Sequence, residues 1–304
     1  MLDASKLPDI VGRNLSDPRA LTLAAHGTAR DRALCTVFRP SIDGFETHQP
    51  VWYDANSVGD VAVGDGLVGG DAVAGVAVGG VAVGGVHKFE PESDDAYDVM
   101  RHRWAFVTSG LSQPDVDCDG DAEDVTDDSG QRFSGMGIEL VITTATDVNW
   151  PAIVLTNMVR RMLQDQSSPL VIPGDVFRGA IGPATMDHHL RRGTDAGGPR
   201  NLLATIDNRY ENEILLPAGQ LQLIHLVAIT DGEVAAIDAE VAASKLDRRA
   251  SFGGEMMSAL LRDIGPGMDS QLDRSCLTTR DDFQQRWRSA RSTVESTWSG
   301  DLGC

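Results

Sequence analysis

A strand, a second strand and a helix follow one another within residues 104–164, and this succession constrains the fold more than any other feature. Residues 104–109 alternate between two sets of side chains, which predicts a β-strand. Residues 138–144 are apolar and β-branched, which is typical of a buried strand. Pro151 suits the first turn of a helix, where its missing N–H group costs nothing. After it, apolar side chains recur with the spacing of one helical face: Leu155, Met158, Val159, Met162 and Leu163.

The second half of the chain continues this alternation of strands and helices. Thr230 and Glu233 have the spacing of a capping box, which predicts a helix from there to about Leu246. Strands are predicted at 33–38, 49–53, 170–173, 201–206 and 221–229, and further helices at 253–264 and 281–298. The pattern predicts an α/β fold of the α+β type, a mixed β-sheet covered by helices. The expected core consists of Trp104, Phe106, Ile138, Leu140, Leu155, Met158, Met162, Leu223, Leu226, Leu260 and Leu261.

Residues 58–86 form a low-complexity tract of Val, Gly and Ala interrupted by aspartates. The unit Val-Ala-Val-Gly-Gly occurs twice in tandem, at 76–80 and 81–85. The uncharged part, 72–86, is shorter than the roughly 20 residues that a helix needs to cross a bilayer. Each glycine also disfavours a helix by roughly 1 kcal/mol relative to alanine. We interpret the tract as a poorly ordered surface loop or linker, with a stacked repeat architecture as the alternative.

The net charge of −19 argues against functions that depend on binding to anionic surfaces. Asp and Glu total 45 against 26 Lys and Arg, so the chain should repel nucleic-acid phosphates and anionic membranes. The four cysteines form no C-x-x-C pair, which argues against a zinc ribbon or a redox motif. The N-terminus lacks the basic and apolar regions of a secretory signal. We expect a cytoplasmic protein with reduced thiols.

Three short motifs occur in order in the middle of the chain. Trp-Ala-Phe-Val-Thr-Ser-Gly-Leu-Ser stands at 104–112, Ser-Gly-Met-Gly-Ile-Glu-Leu-Val at 134–141, and Trp-Pro at 150–151. This order resembles the suppressor-of-fused (SuFu) domain family, in which W-x-[YF]-[VI]-[ST]-x-G-L-S is followed by S-G-x-G-x-E-L-T and then by a helix that opens W-P. The resemblance covers about residues 95–280. It implies a SuFu-like domain that binds other proteins and has no catalytic activity and no cofactor.

The resemblance also suggests a division of the chain and a class of partner. Residues 1–57 are a segment of unknown fold, 58–86 are the loop or linker, 95–280 are the SuFu-like domain, and 281–304 are an amphipathic helix and tail. Short bacterial members of the family are associated with toxin–immunity loci. The resemblance therefore implies an immunity-like or regulatory module that binds and masks another protein, such as a basic toxin or regulator.

The acidic stretch between the first two motifs is the candidate partner surface. Residues 115–128 hold eight carboxylates in fourteen positions, which would complement a basic partner. Together with the ends of the flanking strands, the predicted partner-binding residues are Ser109, Asp117, Asp119, Asp121, Asp124 and Ser134. The D-x-D-x-D-G pattern at 115–120 is also the first half of a calcium loop, although residue 126 is Thr where Glu is expected. A calcium-dependent binding or surface protein is therefore an alternative hypothesis.

Three further sites carry residue types that catalysis or metal binding uses. His188 and His189 are adjacent, His225 lies within an apolar strand, and Glu139 lies within the second motif. An uncharacterised hydrolase using His188, His189 or Glu139 is the second alternative. The structural interpretations are a surface pair for His188 and His189, a hydrogen-bonded core or edge histidine for His225, and for Glu139 a carboxylate that is solvent-facing or buried and paired, with an arginine as one candidate. Because no catalytic constellation is complete, we predict no enzymatic activity and no metal.

Two tryptophans, Trp287 and Trp298, recur at near-helical spacing in the C-terminal segment. They could form a face on which a partner docks. Aromatic residues at helical spacing more often pack into a core. We therefore expect both to be core residues of the C-terminal helix.

Overall fold

The structure is a computed structural model of the chain. It describes residues 18–38, 51–53, 76–78, 81–83, 86–89, 103–112, 114, 125–126, 130–164, 171–182, 198–209, 211–244, 252–263, 269–270, 272 and 275–301. Its helices are Pro18–Phe38 (α1), Trp150–Gln164 (α2), Asp231–Ser244 (α3), Gly253–Asp263 (α4) and Phe283–Asp301 (α5). Its strands are Val51–Tyr53 (β1), Val76–Val78 (β2), Val81–Val83 (β3), Val86–Phe89 (β4), Trp104–Thr108 (β5), Val125–Thr126 (β6), Arg132–Thr144 (β7), Val176–Phe177 (β8), Asn201–Thr205 (β9), Glu213–Leu216 (β10) and Gly219–Ile229 (β11).

The chain is divided into two units. The first lies within Met1–Val141, Pro151–Ser168 and Asn208–Leu223, and the second within Ile142–Trp150, Pro169–Asp207 and Ile224–Cys304. Strands β7 and β11, which are neighbours in the sheet, each contribute to both units.

The sheet contains both parallel and antiparallel pairs. Strands β7 and β11 run in the same direction, because Gln131 is hydrogen-bonded to Gln220 near their starts and Thr143 to His225 further along. The pairs β1–β4, β4–β5, β6–β7, β8–β9, β9–β11 and β10–β11 are antiparallel. This mixed sheet with helices confirms the predicted α+β class.

In the first unit, helix α1 supplies one face of the core. Its buried side chains His26, Arg30 and Leu34 recur every four residues and therefore share one face of the helix. Phe38 stacks on Phe89 of β4 with ring centroids 5.4 Å apart. The apolar core of this unit contains Leu34, Phe89, Ala105, Val107, Val141, Ile214, Leu216, Leu221 and Leu223.

The strand predicted at 33–38 is wrong, because these residues form the last turns of α1. The local run of Ala, Leu, Val and Phe suits a strand. However, Ala33, Val37 and Phe38 pack together with Leu34 against the core as a helical face, and this packing overrides local preference. The strand predicted at 49–53 is confirmed for Val51–Tyr53.

In the second unit, helices α3, α4 and α5 share one apolar core with β9 and the end of β11. Leu203, Val227 and Ile229 come from the strands, and Trp287 comes from α5. Phe283 stacks on Trp287 with centroids 5.5 Å apart. The further members are Val234, Ile237, Met256, Met257, Leu260, Leu261, Leu277, Phe283, Ala290 and Val294. Trp287 is therefore a core residue, as predicted, while the Trp298 side chain lies outside the described part of the chain.

The capping box that opens α3 is confirmed. The Thr230 backbone N donates to Glu233 Oε2 at 2.8 Å, and the Glu233 backbone N donates to Thr230 Oγ1 at 3.3 Å. Two backbone donors at the start of the helix are thereby satisfied. The predicted helices at α2, α4 and α5 and the strands at β5, β7, β9 and β11 are likewise present.

Two other predictions, the strand at 170–173 and the loop at 58–86, differ from the structure where it describes them. Val171 and Ile172 are not in a strand, and the strand of that region is β8, five residues further on. Of the glycine-valine tract, residues 58–75, 79–80 and 84–85 lie outside the described residues. Within its tandem repeat, β2 and β3 pair antiparallel with Val78 opposite Val81, so part of the tract is a hairpin rather than loose chain. Two glycines between alternating strands are a hairpin signal, because tight turns need positive φ.

The predicted core residues are buried, apart from one. Ten of the eleven have exposed fractions of 9% or less, and Trp104 is half-buried. Trp104 lies at the start of β5, where the ammonium group of Lys88 sits 4.3 Å from its ring centroid. This is the geometry of a cation–π contact. Among the described residues, no helix has the length and apolar character needed to span a membrane.

Helix α4 begins with a backbone contact that only glycine permits. A Cβ on Gly254 would lie 2.5 Å from Gly174 O and 2.6 Å from Gly174 Cα. We expect Gly254→Ala to lower the free energy of unfolding by about 1–3 kcal/mol, because backbone atoms cannot move aside as a side chain can. Urea denaturation measures this difference. Gly182→Ala is the matched control, because its Cβ would meet nothing within 4 Å; equal losses in the two variants would contradict the explanation.

Candidate functional site

The carboxylate of Glu139 is fully buried at the centre of a hydrogen-bond network in the first unit. Thr108 Oγ1 donates to Oε2 at 2.6 Å. The other carboxylate oxygen accepts three hydrogen bonds, from Gly110 N at 2.9 Å, Ser112 N at 3.0 Å and Ser112 Oγ at 2.7 Å. Thr108 Oγ1 also accepts from Leu140 N at 2.8 Å. Four donors converge on this buried carboxylate, so hydrogen bonds within the protein offset the cost of removing it from water.

This geometry gives a physical role to the polar residues of both motifs. The segment that follows β5 turns around Glu139, and Gly110 permits the turn because its φ of 139° is rarely adopted by other residues. The predicted alternatives for Glu139 were a solvent-facing or a buried, paired carboxylate. The structure selects the buried form, and the donors it provides are hydroxyl and backbone N–H groups rather than an arginine.

A second set of hydrogen bonds joins the two segments that flank the acidic stretch. Ser134 Oγ donates to Ser112 O at 2.6 Å, and Met136 N donates to Leu111 O at 2.8 Å. His26 of α1 contacts both segments, since its Nε2 lies 3.0 Å from Ser112 O and 3.0 Å from Ser134 Oγ. The chain therefore enters and leaves the 113–131 stretch at positions that are fixed against each other.

Two glycines in β7 shape the second motif. Gly135 and Gly137 have φ values of 57° and 71°, which places both in the left-handed region. A Cβ on Gly137 would also lie 2.9 Å from Phe133 Cδ1. These backbone kinks lie between Ser134, which contacts Ser112, and Glu139, which contacts Thr108. The S-G-x-G-x-E spacing of the motif thus lets one strand bring both side chains to the same loop.

The structure describes two of the six predicted partner-binding residues. Ser109 and Ser134 are buried, with exposed fractions of 1% and 0%, so neither side chain presents itself to solvent. The other four, Asp117, Asp119, Asp121 and Asp124, lie outside the described residues. That these strand ends and the acidic stretch meet a partner therefore stays a prediction, and any contact near Ser109 and Ser134 would have to use neighbouring atoms.

The remaining candidates for chemistry are not assembled into a catalytic site in the described residues. His188 and His189 lie outside these residues. His225 is fully buried, as expected for a core histidine. A cavity of about 240 Å³ in the second unit is lined by residues that include Thr205, Ser258 and Arg262, and by none of the proposed hydrolase residues. Within the described ranges, no group of three His, Cys, Asp or Glu side chains is placed to hold a metal ion.

Arg30 and Asp31 of α1 form a polar cluster with His87 of β4, and the charges of Arg30 and Asp31 act on His26. Asp31 Oδ1 lies 3.3 Å from Arg30 Nε and 3.5 Å from His87 Nε2. Burial raises the pKa of Asp31, but the hydrogen bond from His87 and the charge of Arg30 outweigh it, so the pKa lies below its ordinary value. Burial lowers the pKa of His26, and the Arg30 guanidinium lowers it further. Both effects favour the neutral form of the His26 ring.

We expect the depressed pKa of His26 to make folding sensitive to mild acid. The unfolded chain binds a proton at His26 below about pH 6.5 and the folded chain does not, so stability falls as pH decreases from about 6.5 through the folded pKa. Asp31 adds a loss only in stronger acid, below its ordinary range. Thermal unfolding at pH 7 and pH 5 should show a smaller decrease for His26→Gln than for the wild type. An equal decrease would remove His26 as the cause.

Several solved structures are similar to this chain. Similar solved structures include the Sufu-Fu complex, at 19% identity and a TM-score of 0.42, covering 64% of this chain and 76% of that chain. Drosophila Suppressor of Fused is 18% identical with a TM-score of 0.45, covering 69% of this chain and 46% of that chain. A putative SUFU homolog from Neisseria gonorrhoeae is 13% identical with a TM-score of 0.38, covering 63% and 76%. The chain thus spans about half of the Drosophila chain.

No curated protein matches this chain. The family model of the suppressor of fused protein (SUFU) matches residues 93–262, which is more than half of the 304 residues. The matched region contains every residue of the Glu139 network except His26. The chain therefore belongs to the suppressor of fused protein family.

Proposed function

We propose that this chain is a protein-binding module of suppressor-of-fused type, which acts in the cytoplasm as an immunity-like or regulatory partner by binding and masking another protein. The proposal rests on where the polar residues of the family motifs lie in the structure. Their polar residues, Thr108, Ser112, Ser134 and Glu139, are buried and satisfy one another. Such residues build a scaffold and are not accessible to a substrate, which supports binding by the surrounding surface rather than catalysis.

The position of the acidic stretch supports a basic partner. Residues 115–128 carry eight of the carboxylates that give the chain its charge of −19. The stretch leaves the core at Ser112 and returns before Ser134, and these two residues are hydrogen-bonded to each other. A loop whose ends are fixed loses less conformational freedom on binding. One of the similar solved structures is a complex of Sufu with Fu, which is in keeping with a protein partner for this chain.

We infer that the binding module comprises the predicted SuFu-like domain, residues 95–280, together with α1. His26 of α1 contacts Ser112 and Ser134 of the motifs, and Leu34 of α1 belongs to the same apolar core as Val107 and Val141. In this division, 58–86 is an insertion, and 281–304 provides the helix α5 and the tail. Removal of 58–86 should therefore be tolerated better than removal of α1.

The experiment uses the full chain as bait in an extract of its native host, followed by measurement of the binding rate of the captured protein. The test variant replaces Asp117, Asp119, Asp121 and Asp124 by Asn. We expect slower association than in the wild type and a wild-type rate that falls as salt rises, because exposed charges are screened beyond a Debye length of about 8 Å at physiological ionic strength.

A matched control separates the acidic stretch from total charge. The control changes four exposed carboxylates elsewhere in the chain to amides: Glu211, Glu213, Asp263 and Asp281. Both variants change the net charge by the same amount, so the proposal expects slow association only in the first. Equal rates in both variants, or a wild-type rate that does not depend on salt, would exclude the acidic stretch. Failure to capture any protein would count against the binding function itself.

A further inference from the structure

A cavity of about 240 Å³ lies in the second unit between helices α4 and α5. Four residues with helical spacing line it from one face of α4: Glu255, Ser258, Ala259 and Arg262. The turn at 173–174 and the end of β9 form a second wall, and residues within 293–297 of α5 form a third. A Cβ on Gly174 of that turn would meet nothing within 4 Å, in keeping with open space there. Because protein interiors leave few voids larger than a water molecule, a cavity of this size is a candidate ligand site.

The cavity contains a positive charge that is not paired within the described part of the chain. Arg262 Nη1 donates to Ile206 O at 3.3 Å, and no Asp or Glu of the described residues forms an ion pair with this guanidinium. By contrast, Arg178, Arg286 and Arg291 of the same unit each contact a carboxylate. A guanidinium group has five N–H donors, so Arg262 can still bind a carboxylate through two parallel hydrogen bonds.

The size of the cavity and a second charge restrict the class of ligand. A cavity of about 150 Å³ can hold benzene, so one of about 240 Å³ has room for roughly ten non-hydrogen atoms. Glu255 precedes Arg262 by two helical turns, about 10 Å along the axis of α4. Its carboxylate lines the same cavity and would repel a dianion more strongly than a monoanion. These limits favour a small monocarboxylate over a phosphate ester or a nucleotide.

Hydroxyl groups and apolar atoms line the rest of the cavity. Thr205 Oγ1 and Ser258 Oγ are buried and hydrogen-bonded to each other. Thr293 Oγ1 and Thr297 Oγ1 donate to carbonyl oxygens of their own helix at 3.2 Å and 3.1 Å. A hydroxyl oxygen that donates in this way can still accept a hydrogen bond. The side chain of Ala259 adds an apolar surface, which suits a short hydrocarbon body in the ligand.

We propose that this cavity binds a small hydroxylated monocarboxylic acid. Arg262 binds the carboxylate, and the threonine hydroxyl groups of α5 accept a hydrogen bond from the hydroxyl group of the ligand. The site uses no residue of the Glu139 network, so ligand binding can be measured in the absence of a partner protein. Failure of the site would leave the proposed protein-binding function untouched.

The experiment is a titration of the full chain with 3-hydroxybutyrate at constant ionic strength, followed by isothermal titration calorimetry. We expect saturable binding with a Kd on the order of 1 mM, because a ligand of so few atoms can make only a few contacts. The matched ligand is 3-hydroxybutyramide, which has nearly the same shape but no charge. It should bind about tenfold more weakly, because it cannot form the charge-assisted pair with Arg262.

Two arginine variants separate the cavity from general attraction of an anion to the protein. Arg262→Gln should weaken 3-hydroxybutyrate binding about tenfold. Arg288→Gln is the matched control, because Arg288 is also exposed and donates to a backbone carbonyl, that of Gln284 at 3.1 Å, but does not line the cavity. It should keep the wild-type affinity.

A third variant tests the cavity itself. Ala259→Phe places a ring in the space and should abolish binding, provided that thermal unfolding shows a folded protein. The proposal would be overturned if the wild type showed no saturable binding, or if the acid and the amide bound equally. Equal affinities of Arg262→Gln and Arg288→Gln, or wild-type binding by a folded Ala259→Phe variant, would also overturn it.

Discussion

Replacing Glu139 by alanine is expected to lower the free energy of unfolding by about 3–5 kcal/mol, the range for removing one partner from a buried charged network. Four donors would lose their acceptor: Thr108 Oγ1, Gly110 N, Ser112 N and Ser112 Oγ. All of them are buried or belong to buried residues, so water cannot replace the carboxylate without opening the turn. Urea denaturation followed by far-UV circular dichroism measures the loss.

Two further variants identify the cause of that loss. Glu139→Gln keeps the shape of the side chain but has one acceptor oxygen, so it should be less damaging than alanine while still destabilising the fold. Glu213→Ala removes an exposed glutamate from strand β10 and should change stability by no more than about 0.5 kcal/mol. If Glu139→Ala were as mild as Glu213→Ala, the network would not hold the turn together.

The second large effect is expected at Leu34, where substitution by alanine should cost about 2–5 kcal/mol. The Leu34 side chain is fully buried in the core that includes Phe89, Val107 and Leu223. Its removal leaves a cavity that the surrounding strands cannot fill without shifting. The result would establish that α1 is part of the domain, although it precedes the region 93–262 that the family model matches. Thermal and urea unfolding both measure this loss of stability.

A control on the same helix separates loss of packing from loss of helix. Thr36 is exposed, and its hydroxyl donates to the carbonyl of Arg32 on the same helix at 3.0 Å. Thr36→Ala should therefore leave stability within about 0.5 kcal/mol of the wild type. A wild-type stability for Leu34→Ala would show that α1 does not contribute to the core in solution.

The parts of the fold that local sequence determines were predicted well. The Thr230 and Glu233 capping box formed both of its expected hydrogen bonds, since it depends on residues only three apart. The apolar stripe after Pro151 became α2 for the same reason. Helix α1 was missed because two of the three positions on its buried face hold His26 and Arg30, which do not read as an apolar stripe. The partners of these side chains come from distant strands.

The site was predicted less completely than the fold. The motif resemblance singled out Thr108, Ser112, Ser134 and Glu139 as family residues, but it did not indicate that they contact one another. Sequence spacing could not assign Glu139 to hydroxyl and backbone donors rather than to an arginine, because the contacts join β5 and β7 across a long connection. His225 lies beside Asp207 and Thr143, and Thr143 is hydrogen-bonded to Asp269; these residues come from four separate segments, so no local pattern predicts the contacts.

The contact between His26 and Ser134 has a consequence for how the chain acquires its structure. These residues are 108 positions apart, and the core that holds Leu34 also needs Leu221 and Leu223. A nascent chain therefore cannot bury the inner face of α1 until most of the protein has left the ribosome. Long-range contacts of this kind make folding slow and leave apolar surface exposed meanwhile. The tract at 58–86 adds little to this delay, because doubling the length of a connecting segment raises its closure cost by only about 0.6 kcal/mol.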